Sequence, residues 1–247
     1  MNVDIKAKKR KHRKKKTKRK NEDDVRRKIE ESRTNVSEAD LLGALGKRPQ
    51  RREKRTLLGD DDVFIVQDFL TKKECRNTIE LCERAGFVLT DQKGTRYMAR
   101  RRNGRIQINA PALAETLWTR CRSFFPERIA SGAKVIGLSS NFRFYKYEKG
   151  DRFGMHVDES VDHGGGARSM FTLLVYLNAS PDVRGGATVF YKGSKPTKAT
   201  ELLRFLPQEG VALAHIHGPR CMLHEGAVVE DGCKYLMRTD VVYSYGH

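Results

Sequence analysis

From Gly132 onward the sequence consists of short segments in which apolar and polar residues alternate with a period of two. Gly, Pro, Asp and Asn separate these segments, which is typical of short strands joined by tight turns. Many short strands of this kind predict a β-sandwich or β-barrel. The candidate strands are residues 134–137, 141–147, 155–157, 170–178, 188–191, 211–215, 221–224, 227–229 and 234–243.

Two amphipathic helices are predicted before the strands. Thr71 and Glu74 have the spacing of a capping box, and apolar residues then follow at helical period until Gly86. Pro111 is suited to the first turn of a second helix, which we expect to reach Phe125. The predicted fold class is therefore mainly β with flanking helices (α+β), with the helices packed on the outside of a sheet.

The positive charge is concentrated at the N-terminus. Residues 1–56 contain 22 Lys and Arg against 9 Asp and Glu, whereas residues 57–247 contain 27 against 22. The block in residues 1–20 repels itself too strongly to collapse. We therefore predict a disordered basic tail and linker over residues 1–56, with one short amphipathic turn at Leu41–Leu45. The folded domain is expected over residues 57–247.

The basic block suggests where the protein acts. It is typical of a nuclear or nucleolar import sequence, but it would equally suit contact with nucleic acid, or be a solvated tail with no specific partner. No apolar run reaches the roughly 20 residues that span a bilayer, and the first residues resemble no secretory leader. We expect an intracellular protein, in the nucleus or nucleolus, and leave its oligomeric state open.

The sequence YEKGDRFGMHVDES contains the residues most suggestive of chemistry. His156 and Asp158 are two residues apart, so on a strand they would share a face. With His224, at the end of another predicted strand, they would form the two-histidine, one-carboxylate triad that binds Fe(II) in non-haem oxygenases. The alternative is a surface His–Asp pair and a core histidine. His215 and His217 have no accompanying carboxylate, so we expect them in the core or at its rim.

Four stretches occur in order between residues 141 and 235: NFRFYKYEKGDRFGMHVDES, SMFTLLVYLN, RGGATVFY and HEGAVVEDGCKY. They resemble the prolyl 4-hydroxylase-like branch of the Fe(II)/2-oxoglutarate dioxygenases, over about residues 60–245. The resemblance implies a double-stranded β-helix (jelly-roll) core, an Fe(II) centre, 2-oxoglutarate as co-substrate and ascorbate as a supporting reductant. It also implies that decarboxylation of 2-oxoglutarate to succinate drives a hydroxylation.

The far carboxylate of 2-oxoglutarate requires a cation, and both Lys234 and Arg238 are candidates. The resemblance favours Lys234, which follows His224 by ten residues. The strand-pairing register also favours Lys234 if residues 230–232 form a three-residue hairpin loop with a left-handed Gly232. Arg238 would then face His224 and lie nearly on the metal, with Lys234 farther along the strand.

Tyr147 lies nine residues before His156, where the resemblance implies a tyrosine that contacts 2-oxoglutarate. The alternative is an ordinary strand aromatic. Arg143 and Tyr145 share its predicted strand face, so they would either extend the pocket towards substrate or simply pack. Thr172 is a weaker candidate for the same pocket.

Three functions are consistent with these patterns. The first is hydroxylation of a protein, with proline as the residue to consider. The second is demethylation of nucleic acid, which the basic tail suggests. In that branch two arginines six residues apart follow the distal histidine, whereas here Ser244 lies six residues after Arg238. The third is a catalytically silent jelly-roll that binds a partner, which the intact set of metal-binding residue types disfavours.

Overall fold

A computed structural model describes residues 36–46, 52–95, 99–193 and 196–245. The basic block of residues 1–20 lies outside these ranges, so its predicted disorder and its partners remain predictions. Within them the protein has three helices: α1 (Glu38–Ala44), α2 (Lys72–Ala85) and α3 (Pro111–Cys121). None of these described helices is long and apolar enough to cross a membrane.

The helices begin and end where local chemistry dictates. Thr71 caps α2 through the predicted capping box with Glu74, and the helix ends at Gly86, whose φ of 83° suits glycine. Helix α3 begins at Pro111 as expected, but it ends at Cys121 and continues as a 3₁₀ turn over Arg122–Phe124.

Fifteen strands are present in the described part of the chain. They are β1 (Lys54–Leu58), β2 (Val63–Val66), β3 (Val88–Gln92), β4 (Arg101–Asn109), β5 (Lys134–Leu138), β6 (Asn141–Glu148), β7 (Arg152–His156), β8 (Asp162–Gly164), β9 (Ala167–Tyr176), β10 (Val183–Gly185), β11 (Thr188–Lys192), β12 (Thr200–Phe205), β13 (Ala212–Ile216), β14 (Leu223–Gly226) and β15 (Val229–Ser244).

These strands form a sheet that curls into a barrel. The main order is β1-β2-β13-β9-β15-β6-β4-β7-β14-β11-β12, and the paired neighbours are antiparallel. Ile65 near one end of this order and Phe205 at the other end belong to the same buried cluster. A flat sheet would hold those ends far apart, so the sheet must close on itself. The predicted double-stranded β-helix (jelly-roll) core is confirmed.

Strand β6 shows how the barrel separates two cores. Phe142 and Phe144 contribute to the cluster that packs against the helices, whereas Tyr145 and Tyr147 contribute to the cluster inside the barrel. Alternate side chains on a strand point to opposite faces. The face of β6 that turns inward is therefore the one that carries the polar aromatic residues.

The folded body begins earlier than predicted. Leu41 and Ala44 of α1 are buried in the cluster that packs on the helices, and Val36 is buried beside them. Strand β1 pairs with β2 before residue 57 is reached. The predicted boundary at residue 57 is therefore too late. The apolar face of α1, which lies in the predicted linker, packs against the core.

The hairpin loop that was assumed for residues 230–232 does not form, although Gly232 is left-handed as assumed. Residues 229–244 form the single strand β15, and Gly232 sits within it opposite Val183 of β10. Gly232 has a φ of 73°, and a Cβ there would lie 2.1 Å from the carbonyl oxygen of Asp182. Glycine at this position therefore permits a close approach between strands, and it does not turn the chain.

Candidate metal centre and co-substrate pocket

The predicted metal ligands meet at one end of the barrel. His156 ends β7 and lies opposite His224 of the neighbouring β14. Asp158 follows the end of β7, so the prediction that it shares a strand face with His156 is wrong. The backbone beyond the strand nevertheless places its carboxylate beside His156. His156 Nε2 and Asp158 Oδ1 are 3.6 Å apart. One ligand atom from each of the three residues lies within 4.8 Å of the others.

Both histidines present a free nitrogen lone pair. Nδ1 of His156 donates to the carbonyl of Gly154, and Nδ1 of His224 donates to that of Met222, each at 2.9 Å. A carbonyl only accepts, so Nδ1 carries the proton and Nε2 is left as the ligand atom. Burial and the neighbouring His224 lower the pKa of His156 to about 3, and burial also lowers the pKa of His224. Both rings are therefore neutral at pH 7.

The two carboxylate oxygens of Asp158 have different surroundings. Oδ2 accepts from Thr172 Oγ1 at 2.7 Å and from Arg238 Nη2 at 2.9 Å. Oδ1 faces His156 and remains available. Burial alone would raise the pKa of Asp158, but Arg238 and the nearby histidines hold it well below its usual value. Two imidazoles and one carboxylate form the donor set of non-haem Fe(II) sites, so these residues fit Fe(II).

A small cavity of about 50 Å³ adjoins this centre, and Lys234 lines it. Lys234 is 3% exposed, and its Nζ donates to the carbonyl of Gly186 at 2.5 Å. No carboxylate of the described ranges lies within 4.0 Å of that nitrogen. Burial lowers the Lys234 pKa to about 7. A buried ammonium without a counter-charge is costly unless a ligand supplies one, so the pocket suits a carboxylate.

Comparison with known proteins agrees with this chemistry. Residues 142–239, which carry all three metal-ligand candidates and Lys234, match the model of the 2OG-Fe(II) oxygenase superfamily. This central part of the barrel is therefore similar to the 2OG-Fe(II) oxygenases. The match supports the predicted resemblance to the Fe(II)/2-oxoglutarate dioxygenases, and that superfamily implies Fe(II) and 2-oxoglutarate.

Two solved structures with this fold are prolyl hydroxylases. One is the viral collagen prolyl hydroxylase from Paramecium Bursaria Chlorella virus-1 in complex with 2OG, which is 18% identical over 75% of this chain and 97% of its own, with a TM-score of 0.50. Another is a prolyl hydroxylase from Trichoplax adhaerens in complex with a hypoxia inducible factor oxygen degradation domain peptide fragment. It is 16% identical over 74% of this chain and 84% of its own, with a TM-score of 0.50. No curated protein matches.

Within this matched region, Arg238 is already paired with carboxylates. Besides Asp158, it contacts Asp240 Oδ1 at 3.3 Å. The expectation that Arg238 would lie close to the metal agrees with its contact to Asp158. The predicted pairing of Arg238 with His224 is wrong, because on β15 Arg238 lies opposite Arg143 and Leu174, and His224 is on another strand. Lys234 lies opposite Tyr147.

Aromatic residues surround the Lys234 ammonium. Its Nζ is 5.8 Å from the ring centroid of Tyr147 and 5.5 Å from that of Tyr176. The Tyr176 hydroxyl is 2.7 Å from Thr188 Oγ1. A ligand bound to Lys234 would therefore also contact Tyr147. The predicted contact between Tyr147 and 2-oxoglutarate remains a prediction. The sequence patterns did not indicate Tyr176 or Thr188, because neither has a spacing relation to the histidines.

The two histidines left unassigned are buried beneath the centre. His217 Nε2 is 2.8 Å from Thr172 Oγ1, the hydroxyl that donates to Asp158. His215 Nε2 is 3.7 Å from Asp158 Oδ2. Both are core histidines, as expected, but their positions support the carboxylate of the candidate metal ligand. His215 also lies within 4.8 Å of Cys221 and His224, which form a second cluster of possible ligand atoms.

Proposed function

We propose that this protein hydroxylates a side chain of another protein, with proline as the first residue to test, and converts 2-oxoglutarate to succinate and CO₂. One observation supports this above the others. A two-histidine, one-carboxylate donor set and an unpaired buried lysine line the same cavity. Fe(II) with 2-oxoglutarate supplies the oxidising chemistry that converts a C–H bond into C–OH.

The residues of this chain hold and orient the reactants. The Nε2 atoms of His156 and His224 and Oδ1 of Asp158 bind the metal. Arg238 and Thr172 fix the second oxygen of Asp158, which sets the direction of the first. Lys234 binds the far carboxylate of 2-oxoglutarate, and Tyr147 contacts the same molecule.

A peptide is the first substrate class to test, because the same fold holds a peptide in the Trichoplax prolyl hydroxylase. Ascorbate is proposed as the reductant that maintains Fe(II). The basic block of residues 1–20 is proposed to direct the protein to the nucleus or nucleolus, and to contact an import receptor or nucleic acid.

Succinate release tests the proposal. Full-length protein is incubated with Fe(II), ascorbate and 2-oxoglutarate, and compared with the Asp158→Ala variant. Metal-dependent release that disappears in the variant is expected, whereas Asp162→Ala, an exposed acidic residue on β8, should behave as wild type. Wild-type protein that neither binds 2-oxoglutarate nor releases succinate would instead support the silent binding module.

The substrate class is tested separately. The active enzyme is incubated with denatured cellular protein or with methylated oligonucleotides, and products are analysed by mass spectrometry. Enzyme-dependent addition of one oxygen to peptides is expected. Loss of methyl groups from the oligonucleotides, with peptides unchanged, would replace the protein hydroxylase with the demethylase.

A further inference from the structure

Three arginines line the inner face of the barrel beside the cavity. Arg101 and Arg105 lie on β4, and Arg143 lies on the adjacent β6. Arg105 is opposite Tyr145, and Arg143 is opposite Arg238 of β15. Tyr145 and Arg238 both line the cavity. We call Arg101, Arg105 and Arg143 the arginine wall.

The arginine wall has no acidic partner. Within the described residues, no carboxylate lies within 4.0 Å of these three guanidiniums, whereas Arg102, the next residue on β4, reaches Asp151 at 2.5 Å. The Nε atoms of Arg101, Arg105 and Arg143 are buried and have no hydrogen-bond partner there. Buried donors that are left unsatisfied are costly, so a cluster of them indicates that a ligand completes the site.

The arginine wall is continuous with the metal centre. The guanidinium carbon of Arg101 lies 4.5 Å from the ring centroid of Tyr145 and 4.6 Å from that of Phe153. The Phe153 ring stacks on His156, with centroids 3.7 Å apart. Only the Phe153 ring would therefore separate a group bound by Arg101 from His156, a candidate metal ligand.

Tyr145 lies in a strongly positive electrostatic environment. Burial alone would raise its pKa, but Arg101, Arg238, Arg143 and Arg105 outweigh burial and lower the pKa to about 7. The Tyr145 hydroxyl is buried, and it interacts with the guanidinium of Arg101. Tyr145, which lines the cavity, thus lies in a region of strong positive charge.

The charges of a loaded site would leave the arginine wall unneutralised. Fe(II) and the dianion of 2-oxoglutarate cancel. Lys234 and Arg238 together cancel the two nearby aspartates, Asp158 and Asp240. Of the three positive charges of the arginine wall, ionised Tyr145 balances at most one, so the remaining balancing anion must arrive with the substrate.

We propose that the arginine wall binds acidic side chains of the peptide substrate, close to the residue that is hydroxylated. This inference rests on the proposed function. A guanidinium fork matches a carboxylate with two parallel hydrogen bonds. The wall is half-buried inside the barrel, where a side chain reaches more readily than a phosphate backbone. Residues 57–247, with 27 basic against 22 acidic residues, provide little excess charge for such a backbone.

Binding of matched probes tests the inference. Full-length protein with Mn(II) and 2-oxoglutarate is titrated, at about 150 mM salt to screen the basic tail, into three fluorescein-labelled probes. They are an 11-residue peptide with Asp and Glu around a central proline, its Asn and Gln counterpart, and a 12-nucleotide oligothymidylate. Wild type should bind the acidic peptide at least about tenfold more tightly than the amide peptide.

Variants localise the effect. Arg101→Gln, Arg105→Gln and Arg143→Gln should each weaken binding of the acidic peptide by about five- to tenfold and leave the amide peptide unaffected. Arg152→Gln, an exposed arginine on β7, removes the same charge and should change binding less than about twofold. Should a Gln variant fail to fold, the Lys variant keeps the charge but loses the fork, and a weakening of about threefold is expected.

Two results would overturn the inference. One is equal affinity of wild type for the acidic and amide peptides. The other is loss of oligothymidylate binding, but not of peptide binding, in the arginine variants, which would assign the site to phosphate. The basic tail is identical in all these proteins, so it cannot produce a difference between them. Absence of succinate release by wild type would instead contradict the proposed function, which this binding assay does not measure.

Discussion

Strand β15 carries two largely buried cations four residues apart, Lys234 and Arg238, and their surroundings differ. Arg238 contacts the carboxylates of Asp158 and Asp240 at 2.9 and 3.3 Å. Lys234 donates to one carbonyl, that of Gly186. The charge of Arg238 is thus balanced within the protein, whereas that of Lys234 is not. A paired cation positions its partner, whereas an unpaired one is available to an anionic ligand.

The largest effect is expected where the paired cation loses its partner. Asp158→Ala should abolish Fe(II) retention, because the only carboxylate of the donor set is removed. It should also lower the free energy of unfolding by about 3 kcal/mol, since Arg238 keeps only Asp240. Metal analysis and urea unfolding measure the two effects. An Asp158→Ala protein that retained Fe(II) would refute the assignment of the metal centre.

Removal of the unpaired cation should have the opposite effect on stability. Burial lowers the Lys234 pKa from 10.5 to about 7 in the folded protein. The cost of holding the charge is therefore fully present below pH 7 and disappears as the pH rises from 7 to 10.5. Lys234→Met should stabilise the fold by on the order of 3 kcal/mol at pH 6 and by much less near pH 10.5.

The same variant should lose 2-oxoglutarate affinity by at least about 100-fold, because a charge-assisted contact in a buried site is removed. In wild type, the affinity should fall as the pH rises above 7 and Lys234 loses its proton. Isothermal titration with Mn(II) present measures both. Arg238→Met is the comparison: it should destabilise the fold, and a larger loss of 2-oxoglutarate affinity in Arg238→Met than in Lys234→Met would reverse the assignment of the two cations.

A second paired cation, remote from the barrel mouth, sharpens the comparison. Arg120 of α3 reaches Glu74 of α2 at 2.8 Å, and both side chains are buried. Burial raises the Glu74 pKa, but Arg120 and backbone N–H groups lower it below 4.5 overall. Its contribution to stability is thus present above about pH 4.5 and is lost as the pH falls through the folded-state pKa.

Glu74→Gln should destabilise the fold by about 2 kcal/mol at pH 7, because the Arg120 charge loses its counter-charge. The difference from wild type should shrink in acid, as measured by thermal unfolding between pH 3 and 7. Glu80→Gln on the exposed side of α2 should have almost no effect. A Glu74→Gln protein that lost metal affinity would show that the helices, too, support the site.

The smallest effect is expected at the carbonyl that holds Lys234. A Cβ on Gly186, where φ is +65°, would lie 3.0 Å from Cδ of Lys234, whereas one on Gly150, where φ is +87°, meets nothing within 4 Å. Both alanine variants should lose about 1 kcal/mol of stability from the left-handed backbone. Only Gly186→Ala should raise the KM for 2-oxoglutarate, by roughly fivefold. Equal KM values in the two variants would show that Lys234 does not need its present position.

Local patterns predicted the elements whose chemistry is local. The capping box at Thr71 and Glu74 placed α2, and alternation placed most barrel strands near their observed ends. Strand β4 was not predicted, because Ile106 and Ile108 are its only large apolar residues and arginines occupy much of its inner face. The arginine wall was for that reason seen only in part, through Arg143.

The sequence alone determined the residue types that can bind Fe(II) and a carboxylate, and their order along the chain. Tertiary structure decided which groups are paired. Asp158 and Thr172 lie far from Arg238 in sequence, yet they contact it because β15 runs between β9 and β6. Whether a buried charge is balanced depends on the strands that become neighbours, and closure of the barrel sets those neighbours. That is why Lys234 and Arg238, both candidate cations in the sequence, have different partners in the folded protein.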